Sequence, residues 1–223
     1  MSGKLIVGSM PIGNTDDITI RMLNAIHDCD IIYSDYLPDN IYNLLEIYQI
    51  KKEVVVLNST NTTYADLKQV EEVVNLIIKG KKVLLVAGEG QVGIADPGNQ
   101  FVQACIEQQL PYTVLPGPSA FMSAFVSSGI VNGDFFISCN MNDPKSVIDR
   151  FINQNIPLII LVWQNKLDEI LKGITTDKKI TLACDMTMST ELFLHGTARE
   201  ILSSPKYSRI KENTKIAFVL HDN

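Results

Sequence analysis

Glycine is concentrated in one short stretch of the chain, and this spacing is the first feature that could support chemistry. Four glycines fall within eleven residues, at Gly88, Gly90, Gly93 and Gly98. Glycine tolerates positive φ angles and lets the backbone approach a ligand closely. The stretch 88–98, called the glycine loop from here on, is therefore a candidate ligand-binding loop, although a tight structural turn would use the same residues.

Two common nucleotide-binding motifs fit the glycine loop poorly. Residues 88–93 match the GxGxxG spacing, but a dinucleotide fingerprint should follow the first strand and lead directly into a helix. Here the spacing follows a late apolar run, 82–87, and Asp96-Pro97-Gly98 interrupts it. The GK[ST] ending of a phosphate loop is absent from the stretch. Dinucleotide and phosphate binding are both disfavoured.

Strand-like and helix-like segments alternate through the first half of the chain and would position this loop. Short apolar runs predict strands, and amphipathic stretches between them predict helices. The predicted strands are 4–7, 31–33, 54–57, 82–87 and 112–115, and the predicted helices begin near residues 18, 41, 66 and 101. Such alternation favours a parallel sheet covered by helices on both faces. Ligands of such sheets bind beyond the carboxyl ends of the strands, where the glycine loop and the segment Ser9–Asn14 are both expected.

A second α/β segment is predicted beyond Pro116-Gly117-Pro118, the strongest candidate domain boundary. A helix of small residues is expected over 119–126. Strands are then predicted over 135–138, 158–163, 180–183 and 215–220, with helices over 145–153, 166–171 and 197–202. We therefore predict two α/β domains: residues 1–115 with a parallel sheet flanked by helices, and residues 116–223 with a mixed sheet.

Composition narrows the class of protein. Hydrophobic residues make up 46% of the chain and charged residues 20%, which is typical of a globular protein. The net charge of −6 disfavours attraction of the whole molecule to nucleic acid, although a local basic patch would be compatible with it. The four cysteines and three histidines are scattered, so neither a disulfide framework nor a metal site is expected. No apolar run approaches the roughly 20 residues of a membrane span, and no signal peptide is recognisable, so a cytoplasmic location is expected.

Four short motifs occur together in a fixed order. They are Pro11-Ile12-Gly13-Asn14, Asp17-Ile18-Thr19, Gly93-Ile94-x-Asp96-Pro97-Gly98 and Leu115-Pro116-Gly117-Pro118-Ser119-Ala120. The set resembles the tetrapyrrole-methylase superfamily of S-adenosylmethionine-dependent methyltransferases. Within that superfamily it is most similar to the branch that methylates a ribose 2′-hydroxyl in the 16S RNA of the small ribosomal subunit. The resemblance extends over about residues 4–202.

The resemblance implies a two-domain α/β enzyme, commonly a homodimer, with S-adenosylmethionine in a cleft between the domains. It implies that Pro11 flanks the cofactor and that the glycine loop lines the methionine and ribose parts, largely through backbone. The implied cofactor contacts are Pro11, Gly88, Glu89, Gly90, Gly93, Ile94, Ser119, Ala120, Trp163 and Thr197. For Trp163 a place in the core, and for Thr197 an ordinary turn, are open alternatives.

The acceptor side departs from the pattern of the RNA-methylating branch. After the second strand the branch has A-E-D-T-R, where this chain has Tyr33-Ser34-Asp35-Tyr36-Leu37, with the acid but without the arginine. Further basic residues of the branch are replaced by Cys184, Met188 and His195. Asp35 and Glu191 are the candidate general bases or acceptor-orienting groups, and a solvated or capping carboxylate is the alternative for each.

Three functional hypotheses remain open at this point. The first is a methyltransferase acting on ribosomal RNA. The second is a methyltransferase of the same fold acting on a small molecule, a tetrapyrrole or a peptide. The third is a catalytically idle protein that binds the cofactor or serves in assembly.

Overall fold

The computed structural model describes residues 3–35, 38–61, 64–131 and 133–222. The chain divides into two compact units, residues 1–119 and residues 120–223. Each unit has its own sheet. No helix in the described parts of the chain is long and apolar enough to cross a membrane.

The first unit alternates strands and helices as its sequence predicts. Its strands are β1 (Lys4–Val7), β2 (Ser9–Met10), β3 (Ile31–Ser34), β4 (Val54–Val56), β5 (Ser59–Asn61), β6 (Tyr64–Ala65), β7 (Lys82–Val86), β8 (Gly90–Gln91) and β9 (Tyr112–Val114). Its helices are α1 (Ile20–Asp28), α2 (Asp39–Ile47), α3 (Leu67–Ile78) and α4 (Gly98–Glu107). Thr19 and Asp66 cap α1 and α3 by accepting hydrogen bonds from backbone N–H groups in the first turn.

Five of these strands form one sheet in the order β4-β3-β7-β1-β9, and each neighbouring pair is parallel. The central strand β7 is apolar from residue 83 to residue 86, as expected of a strand whose two faces are both covered. Val83 and Leu85 pack in one core cluster with residues of α3 and α4. Leu84 and Val86 pack in the other with residues of α1 and α2. The sheet thus has helices on both faces.

The second unit contains a mixed sheet. Its helices are α5 (Ala120–Ser127), α6 (Pro144–Phe151), α7 (Gln164–Gly173) and α8 (Ala198–Ser203). Its strands are β10 (Phe136–Ser138), β11 (Leu158–Val162), β12 (Lys179–Cys184), β13 (Leu192–Gly196) and β14 (Ile216–His221). They pair in the order β10-β11-β14-β12-β13, parallel between β10 and β11 and antiparallel elsewhere. The predicted fold class, α/β with a parallel and a mixed sheet, is confirmed.

Strand β13 was absent from the predicted elements. Its residues alternate between buried Leu192 and Leu194 and the more exposed Phe193 and His195. That alternation is the usual signature of a strand with one covered face. The preceding turn residues, Asp185 and Thr187, have positive φ angles that hydrophobic patterning does not reveal.

Candidate functional site

Three loops of the first unit meet at the carboxyl ends of its strands. The segment after β1 pairs with the glycine loop after β7, because β2 and β8 are antiparallel neighbours with Met10 opposite Gly90. The Ser9 hydroxyl donates a hydrogen bond of 2.7 Å to the carbonyl of Pro118, in the loop that follows β9. These segments therefore converge at the carboxyl ends of the parallel strands, which is where the sequence predicts the glycine loop to lie.

Glycine is required where these loops touch. A Cβ on Gly117 would lie 2.7 Å from the Cβ of Ser9, closer than two such atoms can approach. Gly93 has φ +93°, and a Cβ there would lie 2.5 Å from Oδ1 of Asn99. Both positions therefore accept glycine and resist any residue with a side chain.

Asp96 holds the glycine loop in shape. The Gly93 N–H donates to both carboxylate oxygens of Asp96 at 2.9 Å. The Gly98 N–H donates to Oδ1 of the same carboxylate at 2.8 Å. Asn99 completes the arrangement by donating from its side-chain amide to the Gly93 carbonyl at 2.8 Å. The backbone polar groups of Gly93 are thus satisfied by side chains three and six residues further along the chain.

The pKa of Asp96 is raised from its ordinary value of 3.8 to about 6, chiefly because the carboxyl is buried and to a smaller extent because of the negative charge of Asp35. The amide hydrogen bonds act in the opposite direction, since they favour the ionised form. Two acids therefore lie near one another at the edge of the sheet, and one of them takes up a proton near pH 6.

Asp35 directly follows β3 and is buried, with 6% of its surface exposed. Its backbone N–H donates to the carbonyl of Val86, at the end of β7. The preceding hydroxyl, Oγ of Ser34, is buried and has no hydrogen-bond partner among the described residues. This end of the sheet therefore holds a buried acid and a buried hydroxyl next to each other.

One contact to the glycine loop was not predicted. The side-chain amide of Asn40, on α2, donates to the carbonyl of Gly88 at 2.6 Å. The two residues are 48 positions apart in the chain. An asparagine on an amphipathic helix carries no pattern that distinguishes it from an ordinary surface residue, so sequence alone offered no signal for it.

The other predicted contacts of the first unit lie in these loops. Pro11 and Gly90 are buried, whereas Glu89 and Ser119 are partly exposed. Ile94 is 36% exposed. Ala120, the first residue of α5, opens the second unit.

Three further predicted residues, Trp163, Glu191 and Thr197, lie in the second unit. Trp163 follows β11 directly, and 52% of its surface is exposed. Thr197 is the N-cap of α8 and forms a capping box with Glu200. The Glu191 carboxylate accepts a 2.7 Å hydrogen bond from the Thr187 N–H. Thr197 and Glu191 thus have structural partners of their own.

The second tyrosine of the 33–37 stretch, Tyr36, lies outside the described residues together with Leu37. Within the described residues, no group of three or more His, Cys, Asp or Glu side chains could hold a metal ion.

Comparison with known proteins agrees with the fold and with the loop motifs. The family model for Tetrapyrrole (Corrin/Porphyrin) Methylases matches residues 4–202. A protein of Thermotoga maritima named Ribosomal RNA small subunit methyltransferase I is 30% identical over 207 residues, which cover 90% of this chain and 91% of that protein. A protein of the same name from a Hydrogenobaculum species is 29% identical and covers 91% and 89% of the two chains.

Solved structures of low identity share the fold. The crystal structure of diphthine synthase has a TM-score of 0.72 at 15% identity and covers 99% of this chain and 90% of its own. Uroporphyrin-III-C-methyltransferase from Thermus thermophilus has a TM-score of 0.65 at 14% identity, with 99% and 92% covered. Each of these identities is low enough that the likeness shows the fold alone.

The fold, the match across the chain and the relatives together define a methyltransferase that uses S-adenosylmethionine. The chain belongs to the tetrapyrrole methylase family. The predicted family, enzyme class and cofactor are thereby confirmed.

The raised pKa of Asp96 generates a prediction for stability. The folded state binds the Asp96 proton more tightly than the unfolded chain does. The stabilisation of the folded state by this protonated carboxyl is therefore complete below the ordinary pKa of 3.8 and is lost as the pH rises through about 6. Asp96→Asn keeps an oxygen acceptor for the loop amides but cannot ionise. When the pH is raised from 4.5 to 7.5, the free energy of unfolding of the variant should therefore fall by roughly 2 kcal/mol less than that of the parent.

Thermal unfolding midpoints at several pH values measure this difference. Asp177→Asn is the matched control, since Asp177 is exposed in the second unit. If the Asp96→Asn and Asp177→Asn proteins follow the same pH curve as the parent, the Asp96 carboxyl is not perturbed in the way described.

Proposed function

We propose that this protein transfers the methyl group of S-adenosylmethionine to a ribose 2′-hydroxyl in small-subunit ribosomal RNA. The observation that carries the proposal is the match of 30% identity across nine-tenths of both chains to a protein named as a small-subunit ribosomal RNA methyltransferase. A match over nearly the full length of both proteins favours a shared reaction more strongly than a single shared motif does. A cytoplasmic homodimer is the accompanying prediction.

The glycine loop suits the cofactor chemically. S-Adenosylmethionine carries an ammonium, a carboxylate, ribose hydroxyls and an adenine but no phosphate, so its site needs no conserved lysine or helix N-terminus of the phosphate-loop kind. The loop offers neutral backbone that a side chain would obstruct: Gly90 has φ +65°, with Ile12 and Pro118 bordering the space a Cβ would fill. The buried acid Asp35 is near enough to influence the loop electrostatically.

When bound, S-adenosylmethionine supplies a methyl group on a positively charged sulfur. Transfer to a hydroxyl oxygen is an in-line displacement in which the O–C bond forms as the C–S bond breaks and the hydroxyl proton is released. The task of the protein is alignment, together with a group that accepts the proton. Asp35 is the acid that we assign to that group, because it is buried at the carboxyl edge of the sheet. Glu191, the other candidate, is exposed.

Methyl transfer from labelled cofactor tests the acceptor. The full-length protein is incubated with small ribosomal subunits that lack the modification, with naked 16S RNA, with peptides and with a porphyrinogen. We expect label in the RNA, and in nucleosides methylated on ribose after digestion. Label found only in a peptide or in the porphyrinogen would show that the acceptor is that molecule and not RNA. Tight cofactor binding without methyl transfer to any acceptor would favour a cofactor-binding protein that does not catalyse transfer.

Gly93 tests the position of the cofactor site. Gly93→Val, and more mildly Gly93→Ala, should raise the Kd for the cofactor by at least about tenfold, because a Cβ meets Asn99 and the positive φ becomes strained. Gly129→Ala is the matched control, since Gly129 also has a positive φ but has nothing within 4 Å of its would-be Cβ. Calorimetry that finds unchanged affinity in both Gly93 variants would move the cofactor away from this loop.

Asp35→Asn tests the assignment of the proton acceptor. The variant should lower kcat by roughly 10²–10⁴-fold, the range in which a general base contributes, with little change in cofactor affinity. Asp28→Asn, an exposed acid at the end of α1, is the control for loss of a negative charge. If Glu191→Gln lowers kcat as far as Asp35→Asn is expected to, and Asp35→Asn does not, the proton goes to Glu191.

A further inference from the structure

A cleft of about 450 Å³ on the second unit takes no part in the reaction described so far. Its walls are aromatic. Phe136, on the edge strand β10, stacks with Phe151 at the end of α6, with ring centroids 4.6 Å apart and planes inclined by 24°. Phe135 also lines the cleft and packs on Phe125 at 4.4 Å. Phe135 and Phe136 remain 37% and 40% exposed, so their rings are presented to whatever enters.

A cation lies beside these rings. The guanidinium of Arg150 is 5.4 Å from the ring centroid of Phe151, within the range of a cation–π interaction. Arg150 is exposed and forms no ion pair with any described residue. Its neighbour Asp149 is already paired with Lys145 at 2.8 Å. The positive charge of Arg150 is therefore available to an anionic ligand.

The rim of the cleft adds hydrogen-bonding groups of both kinds. Asp134 contributes a carboxylate acceptor, and Gln154 contributes an amide that donates and accepts. Exposed rings, an unpaired guanidinium and mixed rim polarity together match a ligand with a flat π face, polar edges and a nearby anion. A nucleotide has all three, and aromatic stacking beside Arg or Lys is the usual way that proteins hold single-stranded RNA.

We propose that this cleft binds one unstacked nucleotide of the RNA acceptor, with its base on the ring face of Phe136 that Phe151 does not cover and a phosphate at Arg150. The inference rests on the proposed function, since it supplies an RNA contact to a protein whose net charge is negative. With a net charge of −6 the whole molecule does not attract RNA. A local site of stacking and one cation compensates for that deficit without a broad basic surface.

Two variants separate the parts of this site. Phe136→Leu keeps an apolar side chain on β10 but removes the ring, and Arg150→Gln removes the charge. Arg199→Gln is the matched control, because Arg199 is an exposed arginine of the same unit on α8, which packs on β13 at the opposite edge of the sheet. Binding is measured by fluorescence anisotropy with a labelled single-stranded RNA of roughly 12 nucleotides, within the usual site sizes of such proteins.

Both cleft variants should weaken RNA binding about tenfold, the loss expected for one stacked base or one phosphate contact. Arg150→Gln should also reduce the slope of log K against log salt by about 0.7, the value for one phosphate of a single strand, whereas Phe136→Leu should leave the slope unchanged. In the methylation assay both variants should raise KM for RNA without a change in kcat or in cofactor affinity. The Arg199→Gln protein should match the parent in all of these measurements.

The results distinguish failure of the cleft from failure of the proposed function. A parent protein that methylates RNA while both cleft variants retain full RNA affinity would overturn the cleft and leave the acceptor intact. A parent that binds RNA through the cleft but transfers methyl only to another acceptor would overturn the acceptor and support the cleft. If the variants change self-association in sedimentation experiments but leave RNA binding unchanged, the aromatic surface is a protein interface and the proposal is wrong. The proposal is also wrong if the parent protein does not bind RNA.

Discussion

The parallel pairing of β7 between β1 and β3 is the constraint on which the first unit depends. Because all three strands run in one direction, the segments that follow them leave the sheet at the same edge. Those segments are the one containing Ser9, the one beginning at Asp35 and the glycine loop. The burial of β7 on both faces fixes the strand in place, so the loops are positioned by a core that tolerates little displacement.

Structural features that depend on a local sequence pattern could be predicted from the sequence. The apolar run 83–87 predicts a strand covered on two faces, and the apolar stripe over α3 predicts a helix with one buried side. The helices predicted to begin near residues 18 and 66 are observed, with Thr19 and Asp66 as their N-caps. The glycine loop was located because a dense glycine cluster is rare and because its order relative to the other motifs is specific.

Most of the hydrogen bonds made by the candidate site residues could not be predicted from the sequence. Asp96 reads as one member of a turn motif, and only the folded loop shows both of its oxygens occupied by amides. Asn40 meets Gly88 across a long separation that no periodicity encodes. Thr197 and Glu191 were expected near ligands on resemblance. The capping box of Thr197 has a Thr-x-x-Glu spacing that the sequence itself displays, whereas the hydrogen bond from the Thr187 N–H to Glu191 is visible only in three dimensions.

The network centred on Asp96 has a consequence for the thermodynamics of binding. A loop with several glycines would ordinarily lose much conformational entropy when a ligand fixes it. Here the carboxylate and Asn99 fix the backbone on both sides of Gly93 within the protein itself. The entropic cost of ordering the loop is then met during folding and not during association, so the loop is preorganised. Affinity in such a site is limited by the contacts that the ligand makes, and a mutation that loosens the loop would act as an entropic penalty even where it touches no ligand atom.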